Sequence, residues 1–249
     1  MKSLFILMML AFNLNALSAP SRYTDLLDYV QLGPDQGETN TCLFIASTGA
    51  MELIANKKNG ITNPVPYGPY DLAESYLINA PVHTSGYSFL DTPVLKFNWG
   101  FGIHINDWSF EAWNNSYENQ TVWNYRNWEG MKKVSVPKVE TIRLFQYGGK
   151  WSENVLDDSH INQIKDALVK YESPVLVNYV DEGYWHVILI VGYDDDIPGQ
   201  CYDNPESECS ATPLGSFYIR DSFGITVEVR DYDWFRAKGN AAFVVKEAR

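Results

Sequence analysis

The pattern of apolar and polar positions divides the chain into stretches of different grammar. It opens with Lys2, an apolar run from Leu4 to Phe12, and small residues at Ala16, Ser18 and Ala19. That order predicts a signal peptide cleaved near Ser18 or Ala19, and residues 1–19 are set apart from the fold. Asn13 and Asn15 interrupt the run well short of the roughly 20 apolar residues a membrane-spanning helix needs, and no later stretch is long enough. In LFIASTGAMELIANKKNG, Leu43, Ala46, Ala50 and Ile54 share one helical face. Asn40 or Thr41 is placed to cap that helix, Lys57 and Lys58 suit its last turn, and Asn59-Gly60 ends it. Cys42 then lies in the first turn, at the positive end of the helix dipole. Prolines at 64, 66 and 69 mark a loop before DLAESYLINA, which reads as a second short helix.

Residues 81–130 carry little periodicity. They are rich in Gly, Asn and aromatics, including Trp108, Trp113, Trp123 and Trp128. Beyond 131 the pattern turns to strand. KKVSVPKVETIRLF alternates, SHINQIKDALVKYE is helical with Ser159 as its cap and Ile161, Ile164, Leu168 and Tyr171 on one face, and SPVLVNYV, YWHVILIVGYD, GSFYIRDSFG and AAFVVKE are strands. The expectation is an α+β chain of two lobes: a helical lobe over 20–130 and a β-rich lobe over 131–249.

Composition narrows the partners. Nineteen basic against 31 acidic side chains give a net charge of −12, which argues against nucleic acid or an anionic membrane surface. With 45% hydrophobic residues a substantial core is affordable. Cysteine is present three times. On spacing and compartment, Cys201 and Cys209 are expected to close a short disulfide in a polar loop, which leaves Cys42 as a free thiol; the alternative is three unpaired cysteines.

A thiol becomes a strong nucleophile beside a helix N-terminus and an imidazole, and it then needs an oxyanion donor and a group that orients the imidazole. The sequence offers one residue for each role: Cys42, His186 in WHVILIVGYD, Asp221 in YIRDSFG, and Gln36, whose side-chain amide can return toward Cys42.

With these residues in view, the chain resembles the papain-superfamily cysteine peptidases. QGETNTC resembles the family's Gln-Gly…Cys motif, LAESYLIN its Leu-Ser-Glu-Gln helix, SPVLVNYV its Pro-Val strand, HVILIVGYD its His-Ala-Val…Val-Gly-Tyr strand, and RDSFG its Lys-Asn-Ser-Trp-Gly turn. Glu52 falls ten residues after the cysteine, where the family's helix often carries glutamate. The match covers residues 30–80 and 159–226. It implies a papain-like two-lobe fold with the active site between the lobes, and peptide-bond hydrolysis through a thiol acyl-enzyme. Within it Cys42 is the nucleophile, His186 the acid–base group, Asp221 the orienting group and Gln36 the oxyanion donor. No cofactor or metal is called for.

Departures from the pattern are specific. Leu43 follows the cysteine in place of tryptophan, Asp221 stands where the family has asparagine, Phe223 replaces a tryptophan, and two further cysteine pairs are missing. Asp221 and the short link to His186 also resemble the bacteriocin-processing peptidases of the superfamily. The stretch from Pro20 to Asp35 is too short for the family's long inhibitory propeptide.

The expected protein is a monomer acting on peptide or protein, secreted, periplasmic or lumenal. Two other readings use the same residues: an amidase cleaving muropeptides, with the tryptophans gripping sugar, and a papain-like domain that binds peptide without turnover. His83, His104 and His160 lack metal-ligand spacing. The acidic run Asp194–Asp196, near Asp203, Glu206 and Glu208, reads as a solvated loop rather than a calcium site. Asn114 and Asn119 head glycosylation sequons that apply in a eukaryotic source.

Overall fold

The computed structural model describes residues 19–37, 41–79, 93–107, 130–147, 155–181, 183–199, 214–223 and 226–248. Strand β1 (Arg22–Tyr23) precedes helices α1 (Cys42–Lys58) and α2 (Glu74–Asn79). Short strands β2 (Phe101–Ile103) and β3 (Lys133–Ser135) pair with each other. The rest comprises β4 (Val139–Gln146), α3 (Asp158–Tyr171), β5 (Val175–Asp181), β6 (Tyr184–Pro198), β7 (Leu214–Arg220), β8 (Val227–Asp231), α4 (Tyr232–Lys238) and β9 (Gly239–Glu247). His83, the four tryptophans from 108 to 128, both sequon asparagines, Cys201, Cys209, Asp203, Glu206 and Glu208 lie outside the described residues.

The large sheet is antiparallel, in the order β4-β9-β5-β6-β7-β8, and β1 pairs with β6 as a seventh strand. Its centre is β6, whose residues from His186 to Asp194 are all buried. A strand covered on both faces reads as a continuous apolar run rather than an alternation, and this is the pattern of VILIV. One apolar cluster joins the helices of the first half to the sheet of the second, with Leu43, Ala46, Met51, Leu77, Phe97, Ile188, Ile190 and Phe243 among its members.

Helix α1 corrects the one-faced reading. It is buried from Cys42 to Asn56 except at Phe44, so its polar residues Ser47, Thr48, Glu52 and Asn56 are inside as well. A helix covered all round loses the amphipathic signature. It ends as expected: Gly60 takes φ +65°, and the amides of Asn59, Gly60 and Ile61 return to carbonyls of the last turn. At its start Thr41 is the cap residue but makes no side-chain capping bond.

Two other expectations are corrected. The cap of α3 is Asp157, not Ser159: its carboxylate accepts from the amides of Ser159 and His160, and the His160 ring returns to the Asp157 amide to close a capping box. The run Asp194–Asp196 is strand, not solvated loop. Asp194 is buried beside Arg22, and Asp195 accepts from Lys165 at 2.7 Å and from the Tyr232 hydroxyl at 2.7 Å.

Candidate active site

Chain geometry draws the expected residues from a helix, a strand and two connecting segments. Cys42 is the first residue of α1, where amide groups have no intrahelical partner and the dipole is positive. His186 is the third residue of β6. Asp221 follows the last residue of β7, so the strand ends one residue before the orienting position rather than containing it. The β6–β7 pairing sets Leu189 opposite Arg220, which leaves Asp221 to reach His186.

The His186 Nε2–H donates to Asp221 Oδ1 at 2.6 Å, and His186 is also hydrogen-bonded to Cys42. All three side chains are buried. Burial alone would lower the His186 pKa; the bonds and charges of Asp221 and Cys42 outweigh it and raise it to about 9. Burial pulls Asp221 upward, but the His186 hydrogen bond and charge, Arg230 and the Ser222 amide together hold it below its usual value. The His186–Asp221 pair is therefore an imidazolium–carboxylate pair around neutrality.

Gln36 is fixed beside this pair. Its amide donates to the Ser222 carbonyl at 2.7 Å, and the Ser222 hydroxyl donates to Gln36 Oε1 at 2.6 Å. The second of those bonds turns the side-chain carbonyl toward Ser222. Phe223 lies parallel to the His186 ring, 4.8 Å between centroids, and is half exposed. On the other side the Tyr179 ring meets His186 edge-on at 5.2 Å.

Sequence reasoning missed two partners. Ser222 ties Asp221 to Gln36. Arg230, on β8, donates through Nη2 to Asp221 Oδ2 at 3.0 Å. Glu228 and Arg230 are two apart on one strand and so share a face, a readable hint of an ion pair; nothing local pointed to Asp221. Asp221 does not bridge Arg220. That residue turns away, and its guanidinium donates to the carbonyls of Gln31 (2.6 Å) and Ile45 (2.9 Å) and meets Glu52 at 3.5 Å.

The other described histidines are occupied elsewhere: His104 Nε2–H donates to the Gly68 carbonyl, and His160 lies between Asp157 and Tyr147. Among the described residues no group of His, Cys, Asp or Glu is arranged to hold a metal, and no helix is long and apolar enough to cross a membrane.

No family model and no curated protein matches the sequence. Solved structures do match it. The clostridial cysteine protease Cwp84, in its form after propeptide cleavage, aligns at TM-score 0.56 and 15% identity over 92% of this chain, and the chain spans only 59% of that protein's length. Bromelain from Ananas comosus in complex with the E64 inhibitor aligns at TM-score 0.57 and 12% identity, over 92% of this chain and 100% of that one. Xylellain, a cysteine protease from Xylella fastidiosa, aligns at 0.54 and 13% identity, over 93% and 87%. The chain has the papain-like fold.

Proposed function

We propose that the protein is an exported cysteine peptidase that hydrolyses peptide bonds through a thiol acyl-enzyme. The supporting observation is the continuous chain of contacts from Cys42, at the start of α1, through His186 to Asp221. The Cys42 thiolate attacks the scissile carbonyl, and negative charge builds on its oxygen. The Cys42 amide and the Gln36 side-chain amino group donate to that oxyanion. The His186 imidazolium protonates the leaving amine; the neutral imidazole then activates water, which releases the acid and restores the thiolate. Asp221 keeps the ring in the tautomer and orientation this exchange needs.

In this reading the helical part over 20–130 and the β-rich part over 131–249 act as two lobes that share the substrate, residues 1–19 are a leader removed on export, and Cys201–Cys209 is a disulfide of the exported form. The test compares wild type, Cys42→Ala and His186→Ala on a fluorescence-quenched peptide library, with iodoacetamide labelling of Cys42 followed by mass spectrometry. Cleavage abolished by either substitution, with labelling that persists below pH 6 only in wild type, is the expected result. A thiol that labels with a single rise near the free-cysteine value of about 8.5, unchanged by His186→Ala, would remove the peptidase reading.

A further inference from the structure

We infer that Arg230 is a positioning residue for this site, pairing with Asp221 so that the two together present His186 with a near-neutral, asparagine-like acceptor. The inference rests on the proposed thiol mechanism and adds a residue to it.

A bare carboxylate against an imidazolium holds the proton tightly, and an imidazolium that holds its proton too tightly is a poor acid toward a leaving amine. In the family this chain resembles, a neutral asparagine occupies the orienting position. Here the position carries a charge, and the structure supplies the opposite charge on its far side. Asp221 gives Oδ1 to His186 and to the Ser222 amide at 2.6 Å each, and Oδ2 to Arg230 at 3.0 Å. The Asp221 side chain is 1% exposed and that of Arg230 9%, so little water screens the contact.

Arg230 is held in place from several directions. Its guanidinium lies over the Trp234 ring at 4.5 Å, donates to the Tyr179 hydroxyl at 3.4 Å, and meets Glu228 at 3.2 Å. Tyr179 comes from β5, Trp234 from α4 and Glu228 from β8 itself. The charged or titratable groups around the Asp221 carboxylate are therefore His186 with Cys42 behind it, Arg230, Glu228 and Tyr179. Glu228 competes for the same guanidinium nitrogen, which gives the arrangement an adjustable element: removing Glu228 removes a competitor of Asp221.

The consequence is a sign, not merely a loss. Deleting the cation makes the site more negative, disfavours the thiolate and favours the imidazolium, so both limbs of a pH profile move to higher pH. Deleting the carboxylate moves them the other way. Deleting both restores the neutral asparagine-type arrangement.

The experiment measures Cys42 labelling by iodoacetamide against pH, by mass spectrometry, in wild type, Arg230→Met, Asp221→Asn, the double variant and Glu228→Gln. Folding is checked by circular dichroism. The expected result is a shift of about one pH unit upward in Arg230→Met, or roughly a tenfold slower reaction at pH 5. Asp221→Asn and Glu228→Gln shift downward, and the double variant returns to within a few tenths of a unit of wild type. Should Arg230→Met not fold, Arg230→Lys carries the test beside Glu228→Gln: the lysine variant holds the wild-type profile and the glutamine variant moves it down. A wild-type low-pH limb that Arg230→Met leaves in place overturns the positioning role and spares the peptidase reading. So does a double variant worse than either single. Absence of that limb in wild type removes the thiol mechanism and this inference with it.

Discussion

Arg220 and Asp221 are adjacent in the chain, and each anchors a buried ion-pair system, but the two systems differ in kind. The Arg220 guanidinium is locked by two backbone carbonyls and Glu52, which in turn accepts from the Leu72 amide at 2.8 Å. Gly33 and Gly49 make room for it: a Cβ at either position would lie 2.2 Å from a guanidinium nitrogen. The guanidinium ties the N-terminal loop and α1 to β7, so this system is a joint between them. The Asp221 system is also buried, but one of its members is an imidazole that passes the interaction on to a thiol. Burial of charge does not by itself mark a reactive site. A titratable group poised between a fixed charge and a nucleophile does.

The sharpest break of this comparison is His186→Ala. We expect turnover per folded molecule to fall by about 10³-fold or more. In wild type, kcat/KM measured against pH should fall as pH rises through about 9, where the imidazolium is lost. The stability linked to this group has the same sign: its folded pKa is raised, so its contribution is complete below about 6.5 and disappears as pH rises toward about 9.

The converse break is Arg220→Met. It strands the Glu52 carboxylate and should cost roughly 3–5 kcal/mol in urea unfolding, with turnover per folded molecule within a few-fold of wild type. A variant of full stability but no turnover would merge the two systems into one.

Glu74 offers a finer test of the joint. Burial raises its carboxyl to about 7, one of its oxygens has no hydrogen-bond partner, and Glu52 beside it is also pushed up by burial. The native state thus holds extra protons between about 4.5 and 7, and stability falls as pH rises across that window. Glu74→Gln should flatten that fall, by an amount on the order of 1–3 kcal/mol, in melts run from pH 4.5 to 7. The smallest effect is expected of Phe223→Ala. Loss of a half-exposed stacked ring should reduce turnover a few-fold and stability by under about 1 kcal/mol.

The parts of this site that sequence alone revealed are those with local signatures. Cys42 stands at a helix start with a clear stop seventeen residues on, at the end of Cys42–Lys58. His186 and Asp221 sit in or beside apolar runs that can only be buried strands. What stayed hidden depends on long reach. Arg230 has Phe217 as its Cα partner across the sheet, and only the length of its side chain returns the guanidinium to Asp221. Strand β1 was missed because two residues, Arg22 and Tyr23, carry no period. Helix α4 was missed because its start is signalled mainly by the Asp231 cap, whose carboxylate accepts from the Trp234 amide. The Asp194–Asp196 run misled because charge density reads as solvent exposure, whereas here a lysine, an arginine and a tyrosine hydroxyl meet the carboxylates.

The Arg220 joint also bears on timing. Its contacts to Gln31 and Ile45 join positions 189 and 175 residues apart, among the longest loops this chain can close. During synthesis from the N-terminus, α1 with its thiol leaves the ribosome long before β7 is made. In the proposed mechanism the Cys42 thiol therefore waits for β7, because the strand that carries Arg220 also brings Asp221 to His186.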